Sequence, residues 1–158
     1  MKTLIAYATR YGCAKKAAEA LRERLGGEVT LVDLRDDGDP DPGPFDAVIV
    51  GGSIQAGRVQ RKVRAYCDAR SAQLLGKRLG LYLCCMYEGD VAAKQLAGAF
   101  PEALRGRAAA TGLFGGELDI EKIGFVARLV VKKVAGVTES VFKFDEKAVA
   151  AFAEKMRG

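Results

Sequence analysis

The chain is predicted to form an α/β domain in which helices cover both faces of a parallel sheet. Short apolar runs that are typical of strands alternate with helical patterns along the whole chain. Residues 47–50 are apolar throughout, as in a strand buried on both faces. With 158 residues, of which 49% are hydrophobic and 28% charged, one domain with one sizeable core is expected.

The first half of the chain supplies three strands and two helices. A strand at 2–8 leads into a helix at 14–25, which Gly26 and Gly27 end. Residues 28–34 form a second strand with alternating character, and an acidic, proline-containing turn follows. The order then continues with a strand at 45–50, a loop at 51–57 and a helix at 58–72.

The second half adds two strands and three helices. The strands are predicted at 78–85 and 108–114, and the helices at 90–99, 120–134 and 145–156. The five strands are expected in the order 2-1-3-4-5, as a doubly wound sheet. Ligands bind such sheets at the carboxyl ends of the strands, where the strand order reverses.

The residue types and motifs that the chain lacks limit the reactions it can catalyse. The chain has no histidine, which excludes Ser-His-Asp and Cys-His catalysis and histidine-based metal sites, so any reaction is expected to take place on a bound cofactor. No apolar run reaches the roughly 18 residues needed to span a bilayer, and the N-terminus leads directly into a strand. The four cysteines show no C-x-x-C spacing. We therefore expect a cytoplasmic protein without catalytic side chains or metal.

The loop after the first strand has the features of a phosphate site. Thr9 and Gly12 stand between the strand and a helix, so amide groups and the positive helix end point into one space. The spacing fits neither G-x-x-x-x-G-K-[ST] nor G-x-G-x-x-G. Cys13 stands at the helix N-terminus, where a thiolate is favoured, and either lines this loop or acts as a reactive thiol.

Two loops carry a resemblance to a known family. Ala-Thr-Arg-Tyr-Gly-Cys-Ala at 8–14 and Gly-Gly-Ser-Ile-Gln-Ala-Gly at 51–57 resemble the FMN loops of the flavodoxin superfamily. They are most similar to the Ser-Thr-Arg-x-Gly and Gly-x-Ser-Ile-x-x-Gly patterns of menaquinone-dependent protoporphyrinogen oxidases. The likeness continues at 115–119, 125–134 and 143–145. The resemblance implies a flavodoxin-like fold and FMN as cofactor.

The resemblance also assigns roles. Thr9 would bind the FMN phosphate with its hydroxyl, and Gly12 would allow close approach of the backbone. Residues 53–57 would border the flavin ring, and the peptide of Gly57 would respond to its reduction. The implied FMN-binding set is Thr9, Arg10, Tyr11, Gly12, Cys13, Ala14, Gly52, Ser53, Ile54, Gln55, Ala56, Gly57, Met86, Tyr87, Glu88 and Gly89.

Several of these residues have a second interpretation. Tyr87 either packs on the flavin ring or is an ordinary exposed loop residue. Tyr11 either covers the ring edge or shields the loop, and Arg10 either adds charge near the phosphate or points to solvent. Ala14 replaces the Thr or Ser that usually ends the loop in flavodoxins, which is expected to weaken FMN binding by about 1 kcal/mol.

The net charge of +5 bears on the partners. A positive surface favours carboxylate-bearing substrates and anionic lipid headgroups, whereas no nucleic-acid motif is present. The helix at 120–134 places Ile123, Val126, Val130 and Val134 along one side, so it either covers the sheet or lies on a membrane surface, at the inner face of the cell membrane.

Two functions follow from the resemblance. The first is an FMN-dependent oxidoreductase that passes electrons from a porphyrinogen, through FMN, to a quinone. The alternative is a flavodoxin-type carrier that shuttles electrons between redox protein partners. The basic surface and the likeness in the C-terminal part of the chain favour the first function. The segment 86–101 is shorter than the corresponding segment of the oxidases and the chain is small, which favours the second function. A domain that has lost FMN is a third, more remote interpretation.

Overall fold

The computed structural model describes residues 1–118, 124–135 and 141–158. Its main sheet contains five parallel strands and one short antiparallel strand. In chain order these strands are β1 (Lys2–Tyr7), β2 (Glu28–Asp33), β3 (Ala47–Gln55), β4 (Arg58–Val59), β5 (Arg78–Cys84) and β6 (Ala110–Leu113). The parallel strands follow the order β2-β1-β3-β5-β6. The predicted order 2-1-3-4-5 is therefore confirmed, with β4 as an addition at the end of β3.

Helices connect the strands. They are α1 (Cys13–Leu25), α2 (Arg61–Ala69), α3 (Ser71–Leu75), α4 (Gly89–Ala99), α5 (Glu102–Arg107), α6 (Phe125–Ala135) and α7 (Glu146–Arg157). Two further strands, β7 (Glu117–Leu118) and β8 (Val141–Phe142), pair with each other in an antiparallel ribbon. Among the described residues, no helix is long and apolar enough to cross a membrane.

A separate apolar core lies on each face of the sheet. On one face, α1 and α7 cover a cluster in which the ring centroids of Tyr82 and Phe114 lie 5.1 Å apart and Phe152 meets both rings edge-on. On the other face, Leu74 and Leu104 from α3 and α5 are fully buried against the sheet. The two cores hold the carboxyl ends of the central strands in fixed positions.

The prediction of a loop at 51–57 is wrong. Strand β3 continues to Gln55 and turns back as a hairpin, in which Gln55 pairs with Arg58. The two residues at the turn, Ala56 and Gly57, have positive φ angles of 50° and 78°. Such a pair matches the twist of a two-residue hairpin, which glycine adopts freely and alanine only with some strain.

The prediction of one helix over 58–72 is also wrong. The segment divides into β4, α2 and α3, because Arg58 and Val59 pair with β3 and Arg70 leaves the helical conformation at ψ 13°. Helix α5 and the β7–β8 ribbon were not predicted. Of the predicted helix at 120–134, Ile123 lies outside the described residues, whereas Val126 is 72% exposed and does not join a core.

Candidate functional site

Three loops meet at one edge of the sheet. They follow β1, β3 and β5, which are neighbours in the sheet order β1-β3-β5. The order of strands reverses between β1 and β3, so this edge is the position at which open α/β sheets bind their ligands.

The loop after β1 is organised around Gly12. The hydroxyl oxygen of Thr9 accepts a hydrogen bond from the backbone N–H of Gly12 at 2.9 Å, which leaves the O–H of Thr9 able to donate to a ligand. Gly12 has a φ of 98°, in the left-handed region, and it precedes α1 without any side-chain cap. The carbonyl of Gly12 accepts the hydrogen bond from Lys16 at 2.9 Å, so helical bonding starts here.

The loop leaves several amide groups free. Within the described part of the chain, the backbone N–H groups of Arg10, Tyr11, Ala14 and Lys15 have no acceptor. The first turn of α1 contains no acidic side chain. Unpaired N–H groups at the positive end of a 13-residue helix can donate hydrogen bonds to an anion. The sequence-based interpretation of this loop as a phosphate cradle is therefore compatible with its geometry.

Two residues that the sequence analysis missed hold this loop in place. The guanidinium of Arg35 donates to the carbonyl of Thr9 at 2.5 Å. The buried hydroxyl of Tyr82 donates to the carbonyl of Ala14 at 2.7 Å, and burial raises the pKa of Tyr82 well above its usual value. A tyrosine within an otherwise apolar buried strand is the signal that could have indicated such a bond.

The other predicted residues of the first loop differ in exposure. Cys13 and Ala14 are buried, whereas Arg10 is exposed. The guanidinium carbon of Arg10 lies 5.4 Å from the ring centroid of Tyr11, within the range of a cation–π contact. Cys13 contributes to the wall of a small recess of about 40 Å³ that lies between the three loops.

The carboxyl-terminal part of β3 is held by Gln60. Its side-chain oxygen accepts from the backbone N–H of Ser53 at 2.9 Å, and its amide nitrogen donates to the hydroxyl of Ser53 at 2.6 Å. These two bonds fix the half-buried Ser53, which follows the buried Gly52. Gln60 was not predicted as part of the site, because it precedes α2 with no motif around it.

The loop after β5 contains Met86 and Tyr87, followed by Glu88 and Gly89 at the start of α4. Met86 is half-buried and Tyr87 is 50% exposed. The thiol of Cys85 donates to the carbonyl of Tyr87 at 3.4 Å, and burial raises the pKa of this thiol. Glu88 and Gly89 are exposed and contribute mainly the backbone that begins α4.

An apolar recess of about 440 Å³ joins the second and third loops. It falls within the range of about 300–1,000 Å³ that small-molecule sites occupy. Two polar side-chain atoms near the loops, Nε2 of Gln55 and Oε1 of Gln95, are buried without hydrogen-bond partners among the described residues. The walls of the recess are formed by Ile54, Ala56, Gly57, Met86, Tyr87, Val91 and Gln95.

This arrangement fits FMN. The free amides after β1 suit a phosphate. The orphaned oxygen of Gln95 belongs to a residue of the apolar recess, and the orphaned nitrogen of Gln55 belongs to a residue of the smaller recess beside it, so together the two recesses suit a flat heterocycle that has both donors and acceptors. Val91 and Gln95 belong to this recess but were not predicted, because they lie on α4, beyond the loop. No cluster of three or more cysteine, aspartate or glutamate side chains within the described ranges could hold a metal ion.

Comparison with protein families identifies the class. A family model described as flavodoxin domain matches residues 4–143. The match covers most of the chain, so the chain belongs to the flavodoxin domain family. This family implies FMN as the cofactor and electron transfer as the general role. No curated protein matches the chain in sequence.

Solved structures agree with the fold. The oxidised flavodoxin 2 and flavodoxin 1 of Bacillus cereus are similar to this chain, with TM-scores of 0.62 and 0.61, and both are 18% identical to it. The flavodoxin of Streptococcus pneumoniae TIGR4 is similar with a TM-score of 0.57 and 16% identity. Each comparison covers 99% of this chain and 97% of the other. At such identities the likeness shows the fold alone.

Proposed function

We propose that the chain binds FMN across the loops after β1, β3 and β5 and carries electrons between redox protein partners. The observation that carries this proposal is the row of unpaired amides at the N-terminus of α1, on the same sheet edge as an apolar recess of about 440 Å³. Family membership supports the cofactor, and the absence of histidine leaves the redox chemistry to that cofactor.

The chain's residues would bind and orient the cofactor. The hydroxyl of Thr9 and the free amides of Arg10, Tyr11 and Ala14 would hold the phosphate, and Ala14 would offer only its backbone. Ile54, Met86 and Tyr87 would enclose the ring and exclude water from it. When bound, FMN supplies electron transfer in steps of one or two electrons.

The exposed half of Tyr87 and the exposed Val91 leave the recess accessible from the surface. A redox partner could therefore approach this edge closely. The net charge of +5 favours a partner with an acidic surface, because complementary charges accelerate encounter.

FMN titration tests the proposal. Adding the purified protein to FMN is expected to quench flavin fluorescence with saturation at one FMN per chain. Thr9→Ala should weaken binding by roughly ten-fold or more, since a hydrogen bond to a charged group contributes about 1.5–3 kcal/mol, but the remaining loop amides should preserve measurable binding. Thr111→Ala, at an exposed position on β6, is the matched control and should bind normally. Absence of binding by the unaltered protein would refute the proposal.

Porphyrinogen oxidation at a membrane is a second candidate function, and helix α6 favours it. Phe125, Val126 and Leu129 are 75%, 72% and 52% exposed, and the exposed cations Lys132 and Lys133 follow on the same helix. Apolar side chains beside cations suit the surface of an anionic bilayer. In this role, electrons from the porphyrinogen would reach a quinone through FMN.

Two measurements test the second candidate. The protein should sediment with vesicles that contain anionic lipid, and Phe125→Asn should reduce this binding more than Phe45→Tyr, at a half-buried position packed against the core. Porphyrin fluorescence should then appear from protoporphyrinogen under anaerobic conditions only when a quinone is added. Normal FMN binding without either result would leave the carrier function as the one supported.

A further inference from the structure

A cationic cleft lies beside the candidate flavin recess, between α2 and α4. Its volume is about 620 Å³, within the range of small-molecule sites. Both residues of the hairpin strand β4 contribute to its wall. The lining consists of Gly57, Arg58, Val59, Arg61, Arg64, Val91, Lys94, Gln95, Gly98 and Ala99.

Three of the cations in this cleft are not neutralised. Arg58, Arg61 and Lys94 are exposed, and none of them forms an ion pair with any residue in the described part of the chain. No carboxylate is among the lining residues. Like charges gathered without counter-charges repel one another, so an anion bound between them would relieve this repulsion.

Arg64 has a different part in the cleft. Its guanidinium donates to the carbonyl of Gly98 at 3.0 Å, which connects α2 to α4, and it also lies 3.7 Å from the carboxylate of Asp68. Arg64 therefore braces the two walls, whereas Arg58, Arg61 and Lys94 keep their charges available for a ligand.

The cleft is continuous with the flavin recess. Gly57, Val91 and Gln95 line both spaces. Val59, Val91 and Ala99 make part of the cleft wall apolar. A ligand in the cleft would thus place an apolar body against this wall, its anionic groups near the cations, and one end beside the flavin ring.

We propose that the cleft between α2 and α4 is a second ligand site, which takes a small molecule with two or more carboxylates, or equivalent anionic groups, on an apolar body. The idea that the bound molecule reacts with the flavin rests on the proposed function. The idea that the cleft binds an anion does not, because the cations and the walls of the cleft belong to the protein alone. The site is separate from the phosphate cradle, to which α1 contributes.

Naphthalene dicarboxylate is a suitable probe, with uncharged naphthalene dimethanol as the matched ligand control. Binding to the FMN-loaded protein is measured by calorimetry at low and at physiological salt, so that the phosphate cradle is already filled. The dicarboxylate should bind, the dimethanol should bind at least ten-fold more weakly, and added salt should weaken the binding of the dicarboxylate.

Single charge removals locate the bound probe. Arg61→Gln and Lys94→Gln should each weaken dicarboxylate binding by about three- to five-fold, and together by roughly ten-fold or more. Lys62→Gln is the control variant, because Lys62 is exposed on the same helix next to Arg61 and does not line the cleft. All these positions are on the surface, so the variants are expected to fold, which circular dichroism checks.

The possible results distinguish a failure of the cleft as an anion site from a failure of the proposed FMN-binding function. No binding of the dicarboxylate, equal binding of the uncharged ligand, or an equal loss in Lys62→Gln and Arg61→Gln would each overturn the cleft as an anion site. If FMN fails to bind while the dicarboxylate binds with the predicted dependence on Arg61 and Lys94, the site stands and the proposed function falls. A change in the flavin absorption spectrum on dicarboxylate binding, lost in the double variant, would support a reactant position.

Discussion

Replacing Gln60 by methionine tests how the carboxyl-terminal part of β3 is held. Methionine has a similar length but cannot form the two hydrogen bonds to Ser53, at 2.9 Å to the backbone and 2.6 Å to the hydroxyl. The carbonyl of Gln60, which accepts from Val63 at 3.1 Å at the start of α2, is unaffected. Gln60→Met therefore removes the contacts to Ser53 and leaves the helix start intact.

The magnitude follows from those two bonds. A net contribution of about 0.5–1.5 kcal/mol for each predicts that the free energy of unfolding falls by about 2 kcal/mol. For a chain of this length that corresponds to a decrease in Tm of roughly 4–8 °C. Because Ser53 lines the small recess between the loops, FMN binding should also weaken, by about five-fold for each 1 kcal/mol of lost preorganisation.

Urea unfolding followed by circular dichroism measures the stability, and flavin fluorescence measures FMN binding. Gln73→Met is the matched control. Gln73 is exposed and forms hydrogen bonds to Arg70 and Asp41 at the surface, so its replacement should change the free energy of unfolding by less than about 0.5 kcal/mol. Equal effects of the two substitutions would refute the view that Gln60 holds this part of β3.

Two further predictions concern the first loop and the core. Gly12→Ala should destabilise the protein by about 1–2 kcal/mol and weaken FMN binding, because φ is 98° at this position. Unfolding and FMN titration measure these effects. In the same experiments Gly106→Ala, inside α5, should have a neutral or stabilising effect. Burial raises the pKa of Cys67 to about 12 from 9.0, so the folded form holds its proton while the unfolded form loses it. The free energy of unfolding should therefore decline as pH rises from 9.0 towards 12, with a smaller decline in Cys67→Ala; unfolding curves with equal slopes against pH would contradict this.

Much of the fold could be predicted from local patterns. The five parallel strands and their order follow from apolar runs that alternate with helices, and Gly12 between a strand and a helix predicts the cradle. The hairpin after β3 could not be predicted in this way. Gln55 pairs with Arg58 only because β3 extends beyond the sheet, and the residues involved lack a strong turn signal apart from Gly57.

Only part of the candidate site could be predicted from the sequence. The residues proposed for the phosphate are contiguous in sequence, so a motif reveals them, and their assignment remains a prediction. Gln60, Tyr82 and Gln95 could not be found from a motif, because each contributes through a contact with a residue distant in sequence or on another element. The bond from Tyr82 to Ala14 joins residues 68 positions apart.

The amino-acid sequence alone determined the layered α/β architecture and the absence of imidazole chemistry, and it predicted an anion cradle at the first strand–helix junction. These depend on periodicity, composition and glycine placement, which act over a few residues. Only the tertiary structure decided which side chains surround the recess and that Arg58, Arg61 and Lys94 share one cleft without counter-charges. The reason is that the hairpin and the helices α2 and α4, which the bond from Arg64 to Gly98 connects, bring these residues together from separate parts of the chain, and no local pattern encodes that arrangement.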